Sequence, residues 1–127
     1  MKINQLKKIL NSFGDSVYFE HDLKKKNWFN IGGKSKVFFK ADHLNQLINF
    51  LKILHNQERL FILGAGSNIL ITDDLFDGVV IKLGKNFSNI TLHSENIVIA
   101  GSAVLDKSLS DFASKNHLSG FEFLSCI

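Results

Sequence analysis

Arg59-Leu-Phe-Ile-Leu-Gly-Ala-Gly-Ser-Asn-Ile-Leu-Ile-Thr72 is the stretch on which the fold turns. An apolar run stops at Gly64-Ala65-Gly66-Ser67-Asn68 and resumes as Ile69-Leu70-Ile71. The run is too short to span a membrane and shows no helical polar stripe, so residues 60–63 are predicted to form a buried strand ending in a tight loop. Two Gly around one Ala allow φ > 0 and a close backbone approach, and Ser67 and Asn68 add polar groups. Successive amides in such a loop can cradle a phosphate or diphosphate. A ligand-free turn between strands explains the same residues equally well. Two nucleotide patterns are excluded: Ile69 stands where a G-x-G-x-x-G fingerprint needs Gly, and no Gly-Lys-Ser/Thr follows.

The strands and helices around this loop suggest its surroundings. Residues 34–40 carry a strand centred on Val37-Phe38-Phe39. Asp42 is placed to cap a helix whose stripe is Leu44, Leu47, Ile48, Leu51 and Leu54, ending near residues 55–57. Strand, helix and strand make a β-α-β unit, with the glycine loop at a carboxyl strand end, where open α/β sheets bind ligands. Upstream, Ile3, Leu6, Ile9, Leu10 and Phe13 recur at helical spacing with Gly14 as a stop, and residues 17–19 form a short extended segment. Gly32-Gly33 marks a tight turn after the aromatics Trp28 and Phe29.

Downstream, Asp73, Asp74 and Asp77 precede a strand over residues 79–83. A calcium loop is rejected, because Leu75 and Gly84 occupy ligand positions. Residues 89–92 and 97–100 are expected to pair as a hairpin around Ser94-Glu95-Asn96. Gly101-Ser102-Ala103 is a second small-residue break. Asp106 is placed to cap a helix with Leu109, Phe112 and Ala113 inward, ending at His117.

Composition narrows the function classes. The chain has 127 residues, 45% of them hydrophobic, and a net charge of +3, which fits one ordinary globular domain with a core. Lysine carries nearly all the positive charge and Arg59 is the single arginine, which argues against nucleic-acid recognition. The run Lys24-Lys25-Lys26 is expected in a solvated loop. Abundant Lys, Asn, Ile and Phe with no Pro match AT-rich codon usage, so single Lys and Asn identities carry little weight. One cysteine, Cys126, excludes an internal disulfide framework and fits a reducing compartment. No signal peptide or spanning segment is visible, so a cytoplasmic location is expected. The five His show no metal-ligand spacing, no Ser/His/Asp set is readable, and Cys126 lacks the basic partner a nucleophile needs.

Three separated stretches resemble the UDP-N-acetylenolpyruvoylglucosamine reductase family. They are Asn27-Trp28-Phe29-Asn30-Ile31-Gly32-Gly33; Leu63-Gly-Ala-Gly-Ser-Asn-Ile-Leu70 with Asp73 and Gly78-Val-Val-Ile81; and Leu118-Ser-Gly-Phe-Glu-Phe-Leu124. The match covers about residues 20–127. Its middle motif is shared with other flavoproteins of the vanillyl-alcohol-oxidase-like group.

The resemblance implies an α+β fold of the FAD-binding PCMH type. Its first subdomain, a β-α-β unit with a short mixed sheet, would span about residues 20–85 after an N-terminal helix and link at 1–19. The start of the second would span 86–127. It also implies FAD as cofactor, with Gly64, Ala65, Gly66, Ser67, Asn68 and Ile69 at its phosphates and Ser125, Cys126 and Ile127 in a second contacting segment. Residues 101–103 would form a turn near the flavin.

In the intact enzyme NADPH would reduce FAD, which would then reduce the enolpyruvyl ether of a UDP-sugar in peptidoglycan precursor synthesis. The implied partners are FAD, NADPH and the UDP-sugar, with no nucleic acid and no membrane. The family's catalytic residues lie beyond the position matching Ile127, so none is assigned in this chain, which is expected to be truncated and inactive alone. A split gene would supply a separate C-terminal half. Such a truncation predicts an exposed apolar patch at Phe121, Phe123, Leu124 and Ile127.

The chain departs from the family at Asn27 and Asn30, where Thr and a basic residue are frequent, at Asp73-Asp74-Leu75, and at Cys126 in a Gly position. The alternatives are a non-catalytic remnant or nucleotide-binding module, and another FAD-dependent oxidoreductase of the same fold.

Overall fold

The structure is a computed structural model that describes residues 1–126, with Cys126 described in its backbone only. The chain divides into two compact units, Met1–Leu83 and Gly84–Ile127. The first is built on a four-stranded mixed sheet, order β1-β2-β4-β3, formed by β1 (Val17–Asp22), β2 (Lys34–Ala41), β3 (Leu60–Leu63) and β4 (Phe76–Leu83). β1 runs antiparallel to β2, while β2 and β3 both run parallel to β4.

The β-α-β reading holds, with one change of position. Helix α2 (Leu44–Leu54) joins β2 to β3, and β4 then inserts between them. β3 is therefore an edge strand, not the buried strand expected. Leu63 alone is buried, while Leu60, Phe61 and Ile62 are 42%, 40% and 57% exposed. The central role falls to β4, whose Val79, Val80 and Ile81 are all buried, as suits a strand flanked on both sides.

Alternation along β2 divides the core between the two faces of the sheet. Phe39 stacks on Phe50 of α2 with ring centroids 3.7 Å apart, and Phe13 meets both rings edge-on. On the opposite face Phe38, Val80, Leu63 and Leu23 form a buried cluster against which Ile69, Ile71 and Phe76 pack.

Helix α2 buries Phe50 and Leu54, so the expected stripe is rotated: Leu44, Ile48 and Leu51 are exposed. Aromatic stacking on Phe39 sets that rotation. Asp42 does not cap the helix. His43 is the N-cap, and the Gln46 side chain reaches back to accept from the Asp42 N–H at 3.0 Å while the Asp42 carboxylate pairs with Lys40 at 3.3 Å. Helix α1 (Ile3–Ile9) ends before Gly14, and a 3-10 segment (Asn11–Ser16) carries Phe13 to the core.

The second unit holds a hairpin of β5 (Ile90–Ser94) and β6 (Ile97–Ala100), then helix α3 (Asp106–Lys115) and a 3-10 turn (Glu122–Cys126). Leu105, not Asp106, is the N-cap of α3; Asp106 falls in the first turn, where its charge suits the helix dipole. Ala113 is buried, and Leu109 and Phe112 are half-buried. Of the four apolar residues expected at the surface, Phe123 is 67% exposed and Phe121 and Leu124 are half-buried; Ile127 lies outside the described residues.

Candidate functional site

The glycine loop follows β3 at the end of the sheet where the parallel strands β2, β3 and β4 all finish. Gly64 and Ala65 are exposed, Ser67 is half-buried, and Gly66 is buried with φ +79°. Among the described residues, the backbone amides of residues 65–69 donate to no protein acceptor. Among the same residues, neither the Ser67 hydroxyl nor the Asn68 side chain has a protein partner. The loop contains no carboxylate. Free amides, small side chains and an accessible backbone are the donor set that a diphosphate requires.

The structure brings two of the three motifs together around this loop. Trp28 N–H donates to the Gly66 carbonyl at 3.0 Å, and the Lys26 carbonyl lies where a Cβ on Gly66 would sit. The Gly33 N–H donates to the Thr72 carbonyl at 2.7 Å, and Leu23 N–H donates to the Gly33 carbonyl at 3.0 Å. A Cβ on Gly33 would run into the carbonyls of Asp73 and Asp74, so only glycine permits this approach. Residues 23–33 thus form a backing for the glycine loop.

Asn27 holds that backing in shape. It is 6% exposed, and its Nδ2 donates to the carbonyls of Ile31 at 2.8 Å and Leu23 at 3.1 Å. Its Oδ1 is buried without a partner. At the sequence level Asn27 stood out only as a departure from a frequent Thr; its bonding shows a structural role for the amide.

The remaining expected site residues lie in the second unit. The Ser125 hydroxyl donates to the Glu122 carbonyl at 2.6 Å, Cys126 ends the same 3-10 turn, and Ile127 lies outside the described residues. The turn at 101–103 is tied locally, with Gly101 N–H donating to Asn89 and Ala103 N–H to Phe87.

Two lysines near the loop were not singled out from the sequence. Lys26 was read as part of a solvated run, yet it is half-buried with its Nζ 5.3 Å from the Phe38 ring centre. Lys82 breaks the apolar run Val79-Val80-Ile81, the one signal that could have marked it. A separate cleft of about 520 Å³, lined by residues including Glu20, Asp22, Lys24, Lys34 and Asp73, contains none of the glycine-loop residues. Its mixed charges make it a poor anion site.

Residues 35–127 match the FAD binding domain family. The chain belongs to that family. FAD is accordingly its cofactor, in keeping with the unclaimed amides of the loop.

The whole chain is similar to a UDP-N-acetylenolpyruvoylglucosamine reductase of Pelagibacter ubique (strain HTCC1062), with 58% identity over 127 residues. It spans 42% of the length of that relative. In fold it is similar to the UDP-N-acetylenolpyruvylglucosamine reductase of Thermus caldophilus, with a TM-score of 0.62 and 23% identity over 84% of this chain and 35% of that one. It is also similar to p-cresol methylhydroxylase, with a TM-score of 0.53 and 14% identity over 91% of this chain and 24% of that one. Both likenesses support the FAD-binding α+β fold, of the PCMH type, that the sequence motifs imply.

Proposed function

We propose that this FAD-binding-family chain is the N-terminal cofactor-binding portion of a UDP-N-acetylenolpyruvoylglucosamine reductase. The observation that carries the reading is the glycine loop itself, with five consecutive amides that have no acceptor among the described residues, at the carboxyl ends of three parallel strands. The 58% identity over the whole chain supports the particular reductase.

In this reading Gly64, Ala65, Gly66, Ser67, Asn68 and Ile69 hold the FAD diphosphate. Their amides are oriented by the fold before any ligand arrives, so little conformational entropy is lost on binding. The 23–33 segment keeps the loop from collapsing onto the sheet. Ser125, Cys126 and Ile127 contribute the second contacting segment. When bound, FAD supplies the hydride chemistry, and the protein supplies position and electrostatics. NADPH is the hydride donor and the enolpyruvyl ether of a UDP-sugar the acceptor, in cytoplasmic peptidoglycan precursor synthesis that serves cell shape and division. The acid and substrate-orienting residues belong to parts of the reductase outside these 127 residues.

FAD binding is tested by thermal unfolding of the 127-residue chain. At a free FAD concentration about one hundred times Kd, stabilisation of roughly 2.7 kcal/mol is expected. An unchanged melting profile across the whole FAD titration would remove the cofactor-binding reading. The reductase assignment is tested separately, by reconstituting the chain with the remainder of a reductase. NADPH oxidation dependent on the enolpyruvyl ether is expected, and its absence in a flavin-loaded complex would point to another oxidoreductase.

A further inference from the structure

The sheet face turned away from α2 carries two lysines that have no ion-pair partner among the described residues. Lys82 lies on β4 two residues beyond Val80, on the same side as Val80 and Phe38. Lys26 places its Nζ over the Phe38 ring from the loop that backs Gly66. Among the described residues neither ammonium has a carboxylate within ion-pair distance, whereas Lys36, Lys40 and Lys107 each do.

The electrostatic consequences agree with that geometry. Burial pushes the Lys82 ammonium below the ordinary lysine value, and the charge of Lys26 pushes it the same way. His21, whose ring lies 4.5 Å from Phe38, is also held below its ordinary value by burial and then by Lys26, with Asp22 opposing. Two like charges in a partly desolvated place, without a counter-ion, are a liability that a bound anion would remove.

Both lysines have backbones that adjoin the glycine loop or the strand end that leads into it. Leu63 faces Lys82 across the β3–β4 pair at about one strand spacing, roughly 4.8 Å, and Gly64 is the next residue along the chain. The Lys26 carbonyl closes directly on Gly66.

We propose that Lys26 and Lys82 complete the glycine loop as a single diphosphate site, the ammonium groups neutralising charge while the amides of residues 65–69 orient the oxygens. This assignment deepens the FAD reading and rests on it for the identity of the ligand. A diphosphate ester could also come from the UDP-sugar or from NADPH; the loop's cofactor assignment favours FAD.

The test is calorimetric titration of the full 127-residue chain with inorganic pyrophosphate, ADP, UDP and FAD, alongside nitrogen NMR of the lysine Nζ groups in the wild type. Lys26→Met and Lys82→Met are each expected to weaken pyrophosphate, ADP and FAD by about tenfold, the loss for one charge-assisted contact. Lys26→Arg and Lys82→Arg should recover most of it. The exposed Lys52→Met is the control and should change nothing. Pyrophosphate and FAD should both shift the two Nζ resonances, a readout that does not depend on any variant folding.

FAD binding with unchanged affinity in both Met variants and no Nζ shifts would overturn the lysine site and leave the cofactor reading standing. Lysine-dependent pyrophosphate binding with no response to FAD or ADP would keep the anion site and sink the cofactor reading. Tighter binding of UDP than of ADP would keep the site but assign it to the substrate. No binding of pyrophosphate and no Nζ shifts with any ligand would overturn the proposal outright.

Discussion

The carbonyl of Lys26 occupies the space where a side chain on Gly66 would begin, and Gly66 has a φ of +79°. Two independent constraints therefore require glycine at this position. Gly66→Ala would force apart the glycine loop and its backing, with a left-handed strain of order 1–3 kcal/mol before the clash is counted. We expect a lower Tm and loss of FAD-induced stabilisation. Gly64 is the contrast, because a Cβ there meets nothing within 4 Å. Gly64→Ala should leave Tm within a degree or two, so any loss of FAD affinity would report ligand approach directly. A Gly64→Ala chain that binds FAD as tightly as wild type would show that the cofactor does not pass close to this Cα.

Asn27 joins the carbonyls of Leu23 and Ile31 from a position that is 6% exposed. Asn27→Ala leaves those buried acceptors without their donor, at a cost of about 1–3 kcal/mol for the unsatisfied groups. Chemical denaturation should show that loss. Amide exchange should localise it, with protection of the Trp28 amide, which donates to Gly66, falling further than that of the Val79 amide.

Two lysines in the first unit should respond to alkali in opposite directions. Lys36 is held above its ordinary value of 10.5 by its bond to Asp77 and by the Glu58 carboxylate. Its stabilisation is complete below 10.5 and is lost as pH rises through the higher folded value. Lys82 is displaced downward by burial, so its charge destabilises the fold at neutral pH, and the penalty is relieved as pH rises toward 10.5. Lys36→Met should therefore lower stability, with the gap from wild type closing above pH 10.5. Lys82→Met should raise stability, with its gap closing below pH 10.5. Denaturation midpoints across the alkaline range decide both signs.

How much of this could be read from the sequence varied with how local the cause was. The β-α-β order, the hairpin and the glycine loop depend on short-range periodicity and turn residues, and all three formed. The exposure of β3 did not follow, because an apolar run looks the same at an edge as in the middle. The order in which β4 inserts is a long-range outcome. The rotation of α2 escaped for a related reason: Leu44, Ile48 and Leu51 have the right spacing, but stacking of Phe50 on Phe39 decides the inward face. The backing of the loop by residues 23–33 was hidden by distance along the chain. Lys26 and Lys82 were invisible as a pair, being 56 positions apart and brought together by a sheet whose order the sequence does not state.

The Phe39–Phe50 stack is also where the first unit should be most sensitive to truncation. Both rings are fully buried, their centroids are 3.7 Å apart, and Phe13 closes the group edge-on. Phe50→Ala removes a large ring from a packed site, for which losses of about 3–5 kcal/mol are typical. Phe50→Leu retains much of the volume and should cost less, although the stacked geometry is lost. Leu51→Ala, one residue along and exposed, should fall within about 0.5 kcal/mol of wild type. The three variants discriminate between the observed inward face and the stripe expected from periodicity alone. A larger loss for Leu51→Ala than for Phe50→Ala would mean that α2 packs by its Leu44, Ile48 and Leu51 face after all.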